Sequence, residues 1–201
     1  MAYAIQGPAV ESFPLIETGE QVVAPPEGTH PFYTKYINAG GVVIVSSDAV
    51  PDAALIGAYR TILHLTSKRL DVLEAMLPHK PRISIMGLSE TASDLPEFGP
   101  SSDGEWGLGQ MPDSSTSLVS VRGVCYPGNN EYQANFLLHE FVHAMQNLGW
   151  PTTDPQIEDE VWGAYENAVK QGYFEAPRNE PLAGITPFDA FGDDEYLTHN
   201  V

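Results

Sequence analysis

Between Phe136 and Met145 the chain sets two histidines and a glutamate inside an otherwise apolar run. Leu138-His139-Glu140-Phe141-Val142-His143-Ala144 spells H-E-x-x-H, and Phe136, Leu137, Met145 and Leu148 extend the apolar surround. A helix that is apolar on most sides must be wrapped by the rest of the fold. Polar groups buried with it are costly unless something pairs them. Positions i and i+4 of a helix share a face, so His139 and His143 can offer two ring nitrogens to one ion, with Glu140 one step round. Two ligands, an open coordination position and a carboxylate near a water on the ion are what a zinc hydrolase needs. The competing reading makes both histidines core residues bonded to carbonyls and pairs Glu140 with a cation; spacing and apolar context together favour the metal. Asn130 is the expected helix N-cap, with Gln133 as its reciprocal partner, and Gly149 the expected stop.

The remaining pattern alternates short strands with helices. Gly40-Gly41 leads into a buried strand over Val42–Val45, and Arg82-Ile83-Ser84-Ile85-Met86 alternates as a second strand. Pro51-Asp52 opens a helix with Leu55, Ile56, Tyr59, Ile62 and Leu63 on one face. A second helical stretch carries Leu70, Leu73, Met76 and Leu77, and Pro78 ends it. His64 and His79, nearby, have no partner at ligand spacing and read as structural or surface residues. Ser117 to Val124 predicts a strand just before the motif helix. It suits either an ordinary sheet strand or a cleft edge that pairs with a peptide backbone. Residues 87–116 are rich in Gly, Ser, Asp and Pro, and a loop of that length is usually functional or mobile. Asp154-Pro155 predicts a further helix with Ile157, Val161, Tyr165 and Ala168 inward and Gly172 at its end. Residues 1–30 form an extended arm rich in Pro, Gly and Glu, and 31–201 a single domain.

Charge narrows the partners. Nine Lys and Arg against 27 Asp and Glu give −18, which argues against a nucleic-acid surface. Half of that charge falls in residues 151–201, which hold eleven acidic and two basic residues. A solvated acidic surface accounts for it; attraction of cations or basic substrates is the lesser reading. Cys125 is the one cysteine, so an intrachain disulfide is impossible. No apolar run reaches spanning length and no charged start precedes an apolar stretch. The expectation is a soluble protein of open compartment, cytoplasmic or secreted with its signal removed, without a membrane partner and of undetermined oligomeric state.

Two histidines need a third protein ligand. The downstream candidates are Glu158, Asp159, Glu160, Glu166, Asp189, Asp193, Asp194, Glu195 and His199. Glu158 and Glu160 fall in a first helical turn, where the helix dipole already explains acidic residues. Glu166 sits mid-helix and stays a lesser candidate. Glu195 opens a short C-terminal helical stretch with His199 on the same face at i+4. That favours Glu195 as ligand, with His199 as its partner or as an alternative ligand.

These residues also carry a resemblance. The chain resembles gluzincin-type HExxH zinc metallopeptidases, in particular the group related to the catalytic domain of anthrax lethal factor. There H-E-F-x-H-A is followed by a short E-[FY]-x-A-E helix whose first Glu binds zinc. Here His139 to Ala144 supply the first motif, and Glu195-Tyr196-Leu197-Thr198-His199 stand at the second. Pro31-Phe32-Tyr33 through Gly40-Gly41-Val42, Ile85-Met86-Gly87 through Asp94-Leu95-Pro96-Glu97, and Ala164-Tyr165-Glu166-Asn167-Ala168 are weaker matches, so the likeness spans roughly residues 31–199. It implies an α+β zincin-like domain: a small twisted sheet beside a helical lobe, with the motif helix at the cleft. It implies Zn²⁺ on His139, His143 and Glu195, with Glu140 as general base. His199 stands where the pattern has Glu, Phe188 where it often has an oxyanion-stabilising Tyr, and the chain ends soon after Glu195 where relatives continue the helix. Tyr173 and Tyr196 are substitutes for that hydroxyl.

Two functions follow as expectations. One is a zinc-dependent endopeptidase acting on a peptide or protein substrate. The other is a catalytically weak zinc-binding or partner-binding protein on the same scaffold, motivated by Phe188 and His199.

Overall fold

A computed structural model describes residues 15, 17–98, 107–108, 116–130 and 134–172. Its fold class is α+β: a mixed sheet with helices. The strands are β1 (Lys35–Ala39), β2 (Val42–Ser46), β3 (Arg82–Met86), β4 (Gly107–Leu108) and β5 (Thr116–Ser120), in the order β1-β2-β3-β5-β4. β2, β3 and β5 run parallel, while β1 and β4 lie antiparallel at the two ends. The helices are α1 (Asp52–Thr66), α2 (Leu70–Met76), α3 (Phe136–Leu148), the single turn α4 (Trp150–Thr153) and α5 (Ile157–Lys170).

β1 and β2 form a hairpin closed by Gly40 and Gly41 alone, with Ala39 opposite Val42. Both glycines have positive φ, 64° and 103°, the demand of the two-residue turn that matches strand twist. Sequence reading found β2 but missed β1.

β2 and β3 are buried along their whole length, so both sheet faces are covered, as in parallel sheets generally. Side chains in register share a face. Ile37, Ile44, Ile83, Ile85 and Val119 line one face, all buried. Tyr36, Val43, Val45, Met86 and Leu118 line the other. Val23, Phe32, Tyr33, Ala92, Leu95 and Phe98 cover this second face. α1 lies against β1 and β2, and α3 against β5 and β4; with the second face already covered, the helices take the isoleucine face. The N-terminal stretch follows β1: Val23 bridges Tyr36, and the Asn38 amide donates to Thr18 Oγ1 at 3.1 Å.

The second face holds a buried polar cluster that periodicity did not reveal. The Arg82 guanidinium reaches Glu97 Oε1 at 2.5 Å and Thr116 Oγ1 at 2.5 Å through the same nitrogen. The Tyr33 hydroxyl donates to Glu97 Oε2 and meets Ser84 Oγ at 3.0 Å. All five residues are buried. Burial first, then the Glu97 charge, pushes the Tyr33 phenol well above its ordinary range.

Several expectations shift. The strand expected over 117–124 ends at Ser120 and gives way to a single 3-10 turn over Val121–Gly123. Leu70 is exposed, and Val72 takes the buried place on α2. α5 begins at Ile157 after Gln156 rather than at Asp154-Pro155. Its inward face contains Tyr165, which is buried, and Gly172 ends it with φ 77°. Residues 1–153 and 154–201 form two separate units, with α5 in the second. Among the described residues no helix is long and apolar enough to cross a membrane.

Candidate metal centre on α3

The helix that carries the motif starts later than its sequence suggests. Asn135 is the N-cap: its side-chain oxygen accepts from the Leu138 amide at 3.2 Å. Asn130 is exposed, and Gln133 lies outside the described residues. Leu137, Glu140, Phe141, Ala144, Met145 and Leu148 form the buried stripe, at the i, i+3, i+4, i+7 spacing of one helix face. Seven of the thirteen residues of α3 are buried and four more half-buried, so the expected burial on most sides holds, with Leu138 (39% exposed) and Asn147 as the exposed exceptions. At the far end the Gly149 amide closes the helix onto Met145 O at 2.9 Å. Gly149 stays right-handed, with φ −106°, so it is not the left-handed stop that glycine often provides. It is needed for space: a Cβ there would stand 2.6 Å from Val72 Cγ1. That close approach seats the end of α3 against α2.

His139 and His143 stand one turn apart on a half-buried stripe. Their Nε2 atoms are 3.1 Å apart, with the rings edge to face at 85°. Two nitrogens each about 2.05 Å from a tetrahedral zinc lie about 3.3 Å apart, so the pair has the span the ion requires. Glu140 is 6% exposed. Its carboxylate and the two imidazoles each place a ligand atom within 4.8 Å of the others. The donor set of two nitrogens and an oxygen could hold a metal ion; zinc is among the divalent metals it suits, without being singled out.

The expected third ligand, Glu195, lies outside the described residues, as do His199, Asp189, Asp193, Asp194, Phe188, Tyr173 and Tyr196. Glu158, Asp159 and Glu160 occupy the first turn of α5 with exposed side chains. Glu166 is 66% exposed and lies 3.8 Å from Lys170 as a helical i, i+4 pair. His64 and His79 are exposed, and so is Cys125. Tyr33 and Tyr36 point to the sheet face away from α3.

α3 packs against β5, as the sequence suggests, but β5 is not the sheet edge on this side. β5 carries β3 on one side and β4 on the other, so β4 is the sheet edge on this side among the described residues. A strand of two residues carries no periodic signal, and sequence reading had no means to find β4. Compared with known proteins, the chain matches no family model, no curated protein and no solved structure.

Proposed function

We propose that this chain is a zinc-dependent endopeptidase of zincin-like fold, with its centre on α3. The observation that supports this most is the convergence of His139 Nε2 and His143 Nε2 at 3.1 Å beside the buried Glu140 carboxylate. His139, His143 and Glu195 would hold the zinc, which would supply a Lewis acid for acidifying a water and polarising the scissile carbonyl. The two imidazoles fix the position of the centre, because both project from adjacent turns of one capped helix. Glu140 takes the proton of the attacking water and passes it to the leaving amine nitrogen. Its burial keeps bulk water from screening the carboxylate, which strengthens every interaction it makes during that transfer. β4, the sheet edge on this side among the described residues, would offer main-chain donors and acceptors to an extended substrate, a mode without sequence preference.

The test is peptide cleavage by the wild type and Glu140→Gln, with zinc measured in both. Loss of a positioned general base is expected to slow cleavage by roughly 10²–10⁴-fold, with zinc retained. Equal zinc and no cleavage by either protein, across a broad peptide library, would establish a partner-binding scaffold instead. Zinc content of Glu195→Ala and His199→Ala identifies the third ligand.

A further inference from the structure

The chain between Glu97 and Thr116 carries β4, and one side chain grips both ends of it. Arg82 Nη2 is 2.5 Å from Glu97 Oε1 and 2.5 Å from Thr116 Oγ1. We propose that Arg82 is a positioning residue: its guanidinium ties the start and finish of this excursion together and so fixes the sheet edge beside α3. Four observations carry this. Thr116 stands directly opposite Arg82 in the β3–β5 register, so the second tie crosses the ladder at the first residue of β5. Glu97 is fixed from a second direction by the Tyr33 hydroxyl, which itself meets Ser84, two residues along β3 from Arg82. All members are buried, Arg82 at 6% and Glu97 at 4% exposure, so solvent does not compete for these bonds. β4 pairs with β5 at two positions only, Gly107 with Val119 and Leu108 with Leu118. A strand that short cannot set its own register, since register is fixed by an extended pattern or by the loop that delivers the strand.

The choice of groups fits the task. Apolar contact would hold the excursion without direction. The guanidinium meets the carboxylate as an ion pair and the hydroxyl as a hydrogen-bond acceptor through one nitrogen, a pairing of charge and polarity that apolar contact does not supply. On the peptidase reading above, β4 is the edge that receives substrate. Loosening it then weakens substrate binding and leaves the Glu140 proton transfer intact.

The experiment uses the full chain and two variants. Arg82→Met/Glu97→Leu exchanges the ion pair for apolar side chains of similar size, an exchange buried pairs tolerate without unfolding. Thr116→Val removes the tie to the far end and leaves the Glu97 pair in place. Amide hydrogen exchange is followed in the β4–β5 ladder and, as internal control, in β1–β2. The double variant is expected to exchange about tenfold faster in β4–β5 with β1–β2 unchanged, and Thr116→Val to show a smaller acceleration in the same amides. For cleavage, KM is expected to rise several-fold with kcat within about twofold and zinc unchanged. Wild-type exchange rates in β4–β5 of the folded double variant, or of Thr116→Val, would overturn the proposal. If the wild type cleaves no peptide, that failure falls on the peptidase reading, and the exchange comparison still decides the role of Arg82.

Discussion

Two polar clusters sit on opposite sides of the same sheet, one fully buried and one half-buried around a buried carboxylate, and they are built on different logic. On one side Arg82, Glu97, Tyr33, Ser84 and Thr116 match cation to carboxylate and hydroxyl to carboxylate. On the other, His139, Glu140 and His143 bring three groups able to donate a lone pair to within 4.8 Å of one another. The first set neutralises itself and acts as a lock. The second assembles ligand atoms of one kind around one point, the arrangement suited to a cation. A buried carboxylate is common to both, so burial alone does not mark a functional site; the matching of polarity within the cluster does.

The largest effect that would break this contrast is on stability. Glu97→Leu alone leaves the Arg82 guanidinium buried without its carboxylate, and is expected to cost about 3–5 kcal/mol. Adding Arg82→Met should recover most of that loss, because a buried pair replaced by apolar groups is close to neutral. Glu140→Gln keeps the shape of the side chain and removes its charge, and is expected to change stability by no more than about 1 kcal/mol. Denaturant unfolding of the four proteins measures all of this. Equal losses for Glu97→Leu and Glu140→Gln would show that both carboxylates serve the fold, and the distinction between lock and ligand site would collapse.

A second test sharpens the lock through pH. Burial, then the charge of Glu97 and the hydrogen bond to it, favour the neutral phenol of Tyr33 in the folded state. The unfolded chain releases that proton near pH 10. Below that pH both states keep the proton and the stabilisation is complete. Above it the unfolded state binds fewer protons than the folded one, so stability falls as pH rises, by up to about 1.4 kcal/mol per pH unit. Tyr33→Phe should abolish this alkaline component while lowering stability at neutral pH by about 1–3 kcal/mol, since Glu97 then loses a buried donor. Unfolding curves from pH 8 to 11 for both proteins check the sign. An identical alkaline slope in Tyr33→Phe would remove Tyr33 from the lock.

The two clusters were unequally visible in the sequence, for a physical reason. His139, Glu140 and His143 lie within one helical turn, and the 3.6-residue period brings them together whatever the rest of the chain does. Tyr33, Arg82, Glu97 and Thr116 are brought together by strand pairing and by loops, which no local pattern encodes. Among the elements, β3 was legible from Arg82 to Met86 and α1 from the Pro51-Asp52 start, because each has a strong period and a clear boundary. β1 was overlooked although Gly40-Gly41 after Tyr36-Ile37-Asn38-Ala39 is a hairpin signal. Alternation of the kind seen in β3 commonly marks a strand with one face toward solvent. In the folded protein the cover from Tyr33 and Leu95 makes that side a second interior, and Arg82 and Ser84 are buried with it.

The smallest expected effect concerns the start of α3, where sequence and structure name different caps. Asn135 accepts from the Leu138 amide, and the His139 amide bonds to Asn135 O at 3.3 Å. Asn135→Ala removes the side-chain cap and is expected to cost about 1 kcal/mol. Asn130→Ala, at an exposed position before the helix, should stay within about 0.5 kcal/mol of wild type. The cap belongs to the turn that carries His139, so the loss is not spread evenly. Fraying of that turn moves one imidazole and leaves His143, a turn deeper, in place. Zinc affinity of Asn135→Ala should therefore fall further than its thermal midpoint suggests, whereas Asn130→Ala should match wild type in both. If Asn135→Ala binds zinc as tightly as wild type while its stability drops, the first turn of α3 does not set the geometry of the ion site. The ligand cluster would then owe its precision to the sheet beneath it, as the Arg82 cluster does.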